Sequence, residues 1–225
     1  MDDVERVYNE GKLLIRAMDG VYLSNDGDGK KYECQTWGNE FATLMNNGMN
    51  ALSTTLIIPG VGVRTYKNIG FLINSDYAEC FHISKSDSLS SGNTIDGSFS
   101  ANKSSFNTIS ELAQYISIKR DITMNEVNIN TKIDSVLGLF INKCQNIKEL
   151  IKEVYVVKCI LKEMTGIDYP IYVYDFVNGK LEQLYLSKEQ EDAIIDSLES
   201  DKVTCWPDEY DEPIVSSFNS LKYNK

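Results

Sequence analysis

Three groups of polar side chains stand inside segments of this sequence that are otherwise apolar. Arg16 interrupts the run at residues 12–18, three hydroxyls (Ser53-Thr54-Thr55) interrupt the run at residues 51–58, and Glu126 opens the segment EVNIN. A buried guanidinium needs an anionic partner, a ligand phosphate or an edge position, because an unpaired buried charge is costly. Taken singly, the three groups also read as an edge arginine, a β-favouring threonine run and a strand-end carboxylate.

The hydrophobic pattern predicts the elements that would position these groups. Predicted strands cover residues 12–18, 51–58, 69–74, 78–84, 126–130, 135–141, 170–176 and 180–186. Predicted helices cover residues 35–50, 107–117, 146–164 and 187–199. We expect the strands at 126–130 and 135–141 to pair with each other, and the last two strands to form a hairpin around Asn178-Gly179. Strands clustered around a few helices predict an α+β fold, and no Gly-rich loop follows a strand as Rossmann and P-loop folds require.

Charge is distributed unevenly along the chain. The net charge is −11, of which residues 189–212 contribute −9. The rest of the chain is nearly neutral, and the acidic balance argues against a protein that binds nucleic acid through the phosphate backbone. Residues 24–30 and 84–105 read as polar loops and residues 201–225 as an acidic tail. No apolar run approaches the roughly 18 residues of a membrane span, and no signal peptide is apparent at the start.

Cysteine and histidine usage narrows the chemistry further. The five cysteines are odd in number and no two are separated by two residues, so a zinc ribbon or a dense disulfide framework is not expected. A reducing compartment suits this pattern, and we expect no bound metal. His82 is the single histidine, which excludes chemistry that needs two histidines within one chain.

In their order, their spacing and their strand context, the three polar groups resemble the Arg–Ser–Glu class of mono-ADP-ribosyltransferases, the fold of bacterial ADP-ribosylating toxins and effectors. The matching segments are LLIRAMDG, ALSTTL, and TMNEVNI followed by SVLGLFI, within residues 10–142. The resemblance implies an ADP-ribosyltransferase-like mixed β-sheet core with flanking helices as a catalytic domain at residues 1–143. A helix–hairpin–helix extension packed on that core would follow at 144–200, and the acidic tail at 201–225.

The resemblance also implies an activity, the transfer of ADP-ribose from NAD, as substrate, to a side chain of a target protein. Glu126 would stabilise the oxocarbenium-like transition state at the ribose, as the catalytic carboxylate. Arg16 would pair with the NAD phosphates, the backbone at Ala17 would meet the nicotinamide amide, and Ser53 would orient Glu126. The ligand-binding set would be completed by Thr54, Thr55 and Asn125.

Two positions around this motif leave the acceptor open. The residue two places before the glutamate is Met124, where relatives that modify arginine carry a glutamate and those that modify asparagine a glutamine. Methionine cannot act as a base, and Asp121 is the one carboxylate nearby in the loop. Two further outcomes are therefore open: hydrolysis of NAD without transfer, and an inactive relative of the family. The aromatic residue that stacks on nicotinamide is not singled out among Tyr66, Phe71, Tyr77, Phe81, Phe99 and Phe106.

Two alternatives belong to other classes. Cys34 before a predicted helix, His82 and Asp87 follow the order of a papain-like or transglutaminase-like cysteine enzyme. The second alternative is a non-enzymatic interaction module, which would use the acidic tail as its contact surface. The transferase hypothesis requires Arg16, Ser53 and Glu126 to converge on one cleft, with Glu126 about 3–4 Å from the Ser53 hydroxyl.

Partners and location follow from the resemblance alone. It implies a monomer that a bacterium delivers into the host cytoplasm, where a host protein accepts ADP-ribose. Neither a nucleic acid partner nor a membrane span is expected.

Overall fold

The computed structural model describes residues 2–25, 30–86, 104–119, 124–197 and 202–204. Its helices are α1 (Asp3–Asn9), α2 (Gln35–Asn46), α3 (Ile109–Lys119), α4 (Ile147–Thr165) and α5 (Lys188–Ser197). Its strands are β1 (Leu13–Met18), β2 (Tyr22–Asn25), β3 (Lys30–Glu33), β4 (Met49–Ile57), β5 (Ile69–Asn74), β6 (Ala78–Ser84), β7 (Glu126–Thr131), β8 (Val136–Asn142), β9 (Ile171–Asp175), β10 (Lys180–Leu184) and β11 (Lys202–Thr204).

Eight of these strands form one mixed sheet in the order β10-β9-β8-β5-β1-β4-β7-β6. Every neighbouring pair in it is antiparallel except β8 and β9, which run parallel and are joined through α4. The expected α+β class is confirmed, because six of the seven neighbouring strand pairs in this sheet are antiparallel. Within the described ranges, no helix is both long enough and apolar enough to cross a membrane.

The sheet must curl strongly, because two short connections join strands that are far apart in the strand order. Strands β5 and β6 lie four places apart in the sheet, which is about 19 Å if the sheet is flat. Yet only the 3-10 turn Ser75–Tyr77 joins them, and such a turn rises about 2 Å per residue. Strands β7 and β8 are also four places apart, and the 3-10 turn Ile133–Ser135 lies between them against the first turn. The sheet therefore bends so that the strands β7 and β6 at one edge come back toward β5 and β8 where the two turns lie.

The expected pairing of residues 126–130 with residues 135–141 is wrong. Strand β7 lies between β4 and β6, and β8 lies between β5 and β9. The short connection between β7 and β8 looks like a hairpin loop in the sequence. Its residues form the 3-10 turn Ile133–Ser135, which links two strands that are not neighbours in the sheet. The hairpin around Asn178-Gly179 is confirmed as β9 and β10.

Three predicted boundaries also need correction. Residues 24, 25 and 30 were expected in a loop but belong to β2 and β3, which pair with each other. The helix expected at residues 35–50 ends at Asn46, and Met49 already belongs to β4. Lys202–Thr204, expected in the tail, forms β11 beside β3. Most of the expected loop at 84–105 and of the tail lies outside the described residues.

The C-terminal hairpin is tied to the body of the molecule by tyrosine hydroxyls. Tyr8 donates a hydrogen bond to the Gly179 carbonyl at 2.7 Å, and the Tyr174 hydroxyl accepts one from the backbone N–H of Val63 at 3.2 Å. Burial raises the pKa of both phenols well above the ordinary value, so both stay neutral donors or acceptors at physiological pH. The division of the chain at residue 143 stays a prediction. Strands β9 and β10 extend the same sheet that holds Arg16, Ser53 and Glu126.

We expect Asp175→Asn to destabilise this hairpin by about 1 kcal/mol at pH 7. The Asp175 carboxylate accepts hydrogen bonds from Asn178, from the backbone N–H of Val177 and from Lys143, and these bonds lower its pKa to about 2. A carboxyl whose pKa is lower in the folded state stabilises the fold above its unfolded pKa, and loses that contribution as pH falls toward 2. Urea unfolding of both proteins should therefore show a difference that shrinks between pH 4 and pH 2. A difference independent of pH would contradict this assignment.

Candidate active site

One cavity of about 260 Å³ opens where β1, β4 and the start of β7 lie side by side. Its wall is formed by residues from these three strands, from the loop after β4 and from the segment just before β7. They are Ile15, Arg16, Ala17, Ser53, Thr54, Thr55, Tyr66, Met124, Asn125 and Glu126. All seven site residues expected from the sequence are among them. The volume is near the roughly 300 Å³ at which ligand pockets begin.

The Ser53–Glu126 contact joins the side chains of two of the motifs directly. The Ser53 hydroxyl donates a hydrogen bond to Glu126 Oε1 at 2.9 Å, within the expected distance. Strand register explains the contact, because Ser53 pairs with Asn128 and side chains two apart on a strand share a face. Glu126 is 4% exposed, so its carboxylate depends on such donors in place of water. The arrangement holds one carboxylate oxygen in a defined position on the cavity wall.

Arg16 is held by a carboxylate that the sequence reasoning did not identify. Its Nε and one terminal nitrogen donate to the two oxygens of Glu40, at 3.2 Å and 2.5 Å. Its other terminal nitrogen donates to the backbone carbonyl of Ser53 at 3.2 Å. The guanidinium thus makes a two-pronged ion pair with α2 and also holds β4 at the motif serine. Within the described part of the chain, three of its five N–H groups are used in these contacts, and the other two remain available to a ligand.

Two features of the sequence point to Glu40 in retrospect. It lies on the predicted amphipathic helix, and it is the only acidic residue between Glu33 and Asp76. An arginine inside an apolar strand needs an anionic partner, and this helix supplies a single one. The pair is half-buried, with side-chain exposures of 26% for Arg16 and 13% for Glu40.

The remaining motif residues divide between the cavity and the core. Thr54 is 3% exposed and donates its hydroxyl to the Val127 carbonyl, so its side chain stabilises the β4–β7 pair. Thr55 is partly exposed in the cavity wall. Ala17 pairs with Gly70 of β5, where a Cβ would lie 1.9 Å from the Arg16 carbonyl oxygen. Glycine at position 70 is therefore required for β5 to approach β1 beside the site.

Asn125 extends the β4–β7 ladder with its side chain. Its amide oxygen accepts from the Leu56 N–H at 2.8 Å, and its amide nitrogen donates to the Leu56 carbonyl at 2.9 Å. The side chain is 3% exposed, so both hydrogen bonds are shielded from water. Asn125 therefore imitates one more backbone pair at the point where β7 begins, and it positions the next residue, Glu126.

We expect Asn125→Asp to destabilise the protein by about 2 kcal/mol, because a carboxylate cannot donate to the buried Leu56 carbonyl and repels it. Thermal and urea unfolding measure the effect. Asn50→Asp, at an exposed position of β4, is the matched control and should cost less. Equal stability of Asn125→Asp and the wild type would show that the side-chain pair with Leu56 contributes nothing.

The structure separates the aromatic candidates for nicotinamide stacking. Tyr66 lines the cavity and is 72% exposed, whereas Phe71 is fully buried in the core. The other described candidates, Tyr77, Phe81 and Phe106, are not part of the cavity wall, and Phe99 lies outside the described residues. Met124 does line the cavity, and Asp121 and Arg120 of the preceding loop lie outside the described residues.

The cysteine alternative gains no support from the described residues. Cys34 is 1% exposed and belongs to the hydrophobic core, whereas a nucleophilic thiolate must reach its substrate. Among the described residues, no hydrogen-bond partner lies near the buried Nε2 atom of His82. His82 lies opposite Asn128 in the β6–β7 pair, and the buried side-chain amide of Asn128 has no partner there either. Asp87 lies outside the described residues.

A larger cleft of about 750 Å³ lies between α4 and α5, away from the motif residues. Lys158 and Lys162 line it, and both pair with Asp168, at 3.3 Å and 3.7 Å. Its one buried thiol, Cys159, has a pKa raised by burial to about 12 and is therefore a poor nucleophile. The cleft wall carries three lysines and four carboxylates, so it has no strong excess of either charge.

Comparisons with known proteins give no match from which a function could be assigned, so the geometry of the site is the basis for the assignment. Among the described residues, no group of three or more His, Cys, Asp or Glu side chains is arranged to hold a metal ion. No model of a known protein family matches the chain, and no curated protein matches it significantly.

Proposed function

We propose that this protein is an NAD-dependent mono-ADP-ribosyltransferase, which transfers ADP-ribose from NAD to a side chain of a target protein. One observation carries the proposal. Arg16, Ser53 and Glu126, from three different strands, meet on the wall of one cavity, with the Ser53 hydroxyl 2.9 Å from the Glu126 carboxylate. An ADP-ribosyltransferase-like sheet and a bacterial effector acting on a host protein are parts of the same proposal.

The proposed reaction breaks the bond between the nicotinamide nitrogen and C1′ of the ribose. The electron pair leaves with nicotinamide, and positive charge develops on the ribose ring. The Glu126 carboxylate stabilises that charge from a fixed position, because the Ser53 hydrogen bond orients it before the substrate arrives. The acceptor side chain then forms a bond to C1′ and releases its proton. A preorganised anion at this position costs no reorganisation during the reaction.

Cavity size and lining suit one end of the dinucleotide. A volume of about 260 Å³ holds the nicotinamide ring and its ribose, while the diphosphate and adenosine extend past the mouth. Tyr66 presents an exposed ring at the wall on which a planar ring can stack. The two N–H groups of Arg16 that remain free among the described residues are suited to an anionic oxygen.

Labelling of a cell extract with biotin-NAD tests the transfer. The wild-type protein should attach biotin to a small number of extract proteins, and mass spectrometry of those proteins identifies the modified residue. Glu126→Ala should abolish the label, whereas Cys34→Ser and His82→Ala should leave it intact. A label that depends on Cys34 or His82, and not on Glu126, would overturn the proposal.

A further inference from the structure

We infer that Glu40 is a positioning residue for Glu126, acting through Arg16 and Ser53; this inference rests on the proposed function. Four residues on four elements form a continuous series of contacts. Glu40 of α2 binds Arg16 of β1, Arg16 binds the Ser53 backbone of β4, and the Ser53 hydroxyl binds Glu126 of β7. The geometry thus connects a helix outside the motif to the carboxylate that acts on the ribose.

The ion pair with Glu40 fixes the orientation of the Arg16 guanidinium. A guanidinium is planar, so two donors held by Glu40 fix the plane and direction of the remaining ones. Because Glu40 receives the Nε and one terminal nitrogen, the other terminal nitrogen points toward the Ser53 carbonyl. Without the Glu40 carboxylate, the guanidinium is free to rotate toward water or toward a ligand phosphate.

The Arg16 contact with the backbone of Ser53 also affects the Ser53 hydroxyl. Its carbonyl oxygen and its hydroxyl belong to one residue, so a contact that holds the backbone also restricts where the hydroxyl lies. The hydroxyl in turn fixes one oxygen of Glu126, a side chain that is 4% exposed. A displacement of about 1 Å at a reacting group can cost on the order of 100-fold in rate.

The same contacts allow a different outcome, which the test must separate from this one. If Glu40 mainly competes with a ligand phosphate for Arg16, removing its charge strengthens NAD binding and lowers KM. If Glu40 positions Glu126, removing its charge lowers kcat and leaves KM for NAD nearly unchanged, because the lost interaction matters in the transition state.

Steady-state kinetics of Glu40→Gln, with nicotinamide release as the readout, distinguishes the two. Glutamine has the same shape, but its amide group repels one of the two guanidinium donors. We expect kcat to fall at least tenfold with KM within about twofold of the wild-type value. Glu189→Gln, an exposed residue on α5, is the matched control and should match the wild type. A lower KM, or an unchanged kcat, overturns the inference.

A double-mutant comparison tests the route. If Glu40 acts only through Ser53, the variant Glu40→Gln/Ser53→Ala should be no slower than Ser53→Ala alone. Multiplying effects would show that Glu40 acts by another route and would overturn the inference. Circular dichroism and melting curves identify any variant that fails to fold, and Glu40→Asp, which keeps the charge, then replaces Glu40→Gln with a smaller expected loss of kcat.

Crystal structures separate this inference from the proposed function. In Glu40→Gln, the Ser53 hydroxyl and the Glu126 carboxylate should lie more than about 3.5 Å apart, beyond hydrogen-bond distance. An unchanged contact in the variant overturns the inference whatever the activity. A wild-type protein that releases no nicotinamide contradicts the proposed function, while the crystallographic comparison still decides the role of Glu40.

Discussion

Substituting Glu126 with glutamine should reduce nicotinamide release from NAD at least 100-fold. That ratio corresponds to about 2.7 kcal/mol of lost transition-state stabilisation. Glutamine fills the same space and can still accept a hydrogen bond from Ser53, so the loss isolates the negative charge. Initial rates at saturating NAD, with nicotinamide quantified by chromatography, measure the effect.

Folding provides the internal check on this variant. Glu126 as a whole residue is 4% exposed, and burying a charge costs more free energy than burying a neutral amide. Glu126→Gln should therefore melt at the wild-type temperature or above it, as is common when a catalytic charge is removed. Glu79→Gln is the matched control, since Glu79 lies exposed on the neighbouring strand β6 and accepts a hydrogen bond from Asn130. Equal loss of activity in both variants would remove Glu126 from the mechanism.

Arg16→Lys is expected to lower activity at least tenfold and to destabilise the fold by about 1 kcal/mol. Lysine keeps the positive charge, but one ammonium group cannot reproduce the planar fork that binds both Glu40 oxygens and the Ser53 carbonyl. The stability loss is modest because water reaches about a quarter of the Arg16 side chain. Nicotinamide release and urea unfolding measure the two effects.

The control for Arg16 is another paired arginine outside the cavity. Arg6 of α1 bridges Asp3 and Glu10 on the surface, at 3.4 Å and 3.3 Å. Arg6→Lys should leave activity unchanged, because exposed ion pairs tolerate a change of donor geometry. If Arg16→Lys also leaves activity unchanged, the planar shape of the guanidinium is not needed and Arg16 contributes only its positive charge.

The site was predictable from residues that violate the pattern around them. Arg16, Ser53 and Glu126 stand in apolar segments where burial without a partner is costly, and that cost implies mutual contact. The short distance between Ser53 and Glu126 agrees with that expectation. The ends of β1, β5 and β6 were also close to the predicted ones, because apolar runs bounded by turn residues define them well.

Features that depend on three-dimensional closure were not predictable in the same way. Strands β7 and β8 are consecutive and separated by four residues, so local sequence indicates a hairpin. Their true neighbours follow from the curl of the sheet, which brings the turn at 133–135 against the turn at 75–77. The role of Glu40 was not predicted because its partner Arg16 lies 24 residues away in the sequence, and only the fold brings the two side chains together.

The small sheet shows a different limit. The residues of β2, β3 and β11 are mostly polar and few, so no apolar run marks them as strands. Strand β11 pairs in parallel with β3, although about 170 residues separate them, and no local signal reports such a contact.

The most direct test of the proposed chemistry is the release of radiolabelled nicotinamide from NAD by the purified wild-type protein in the presence of cell extract. The account predicts release well above that of the Glu126→Gln protein at the same concentration, with a matching amount of ADP-ribose on protein or in solution. Release by the wild type that equals release by Glu126→Gln and by buffer alone would contradict it.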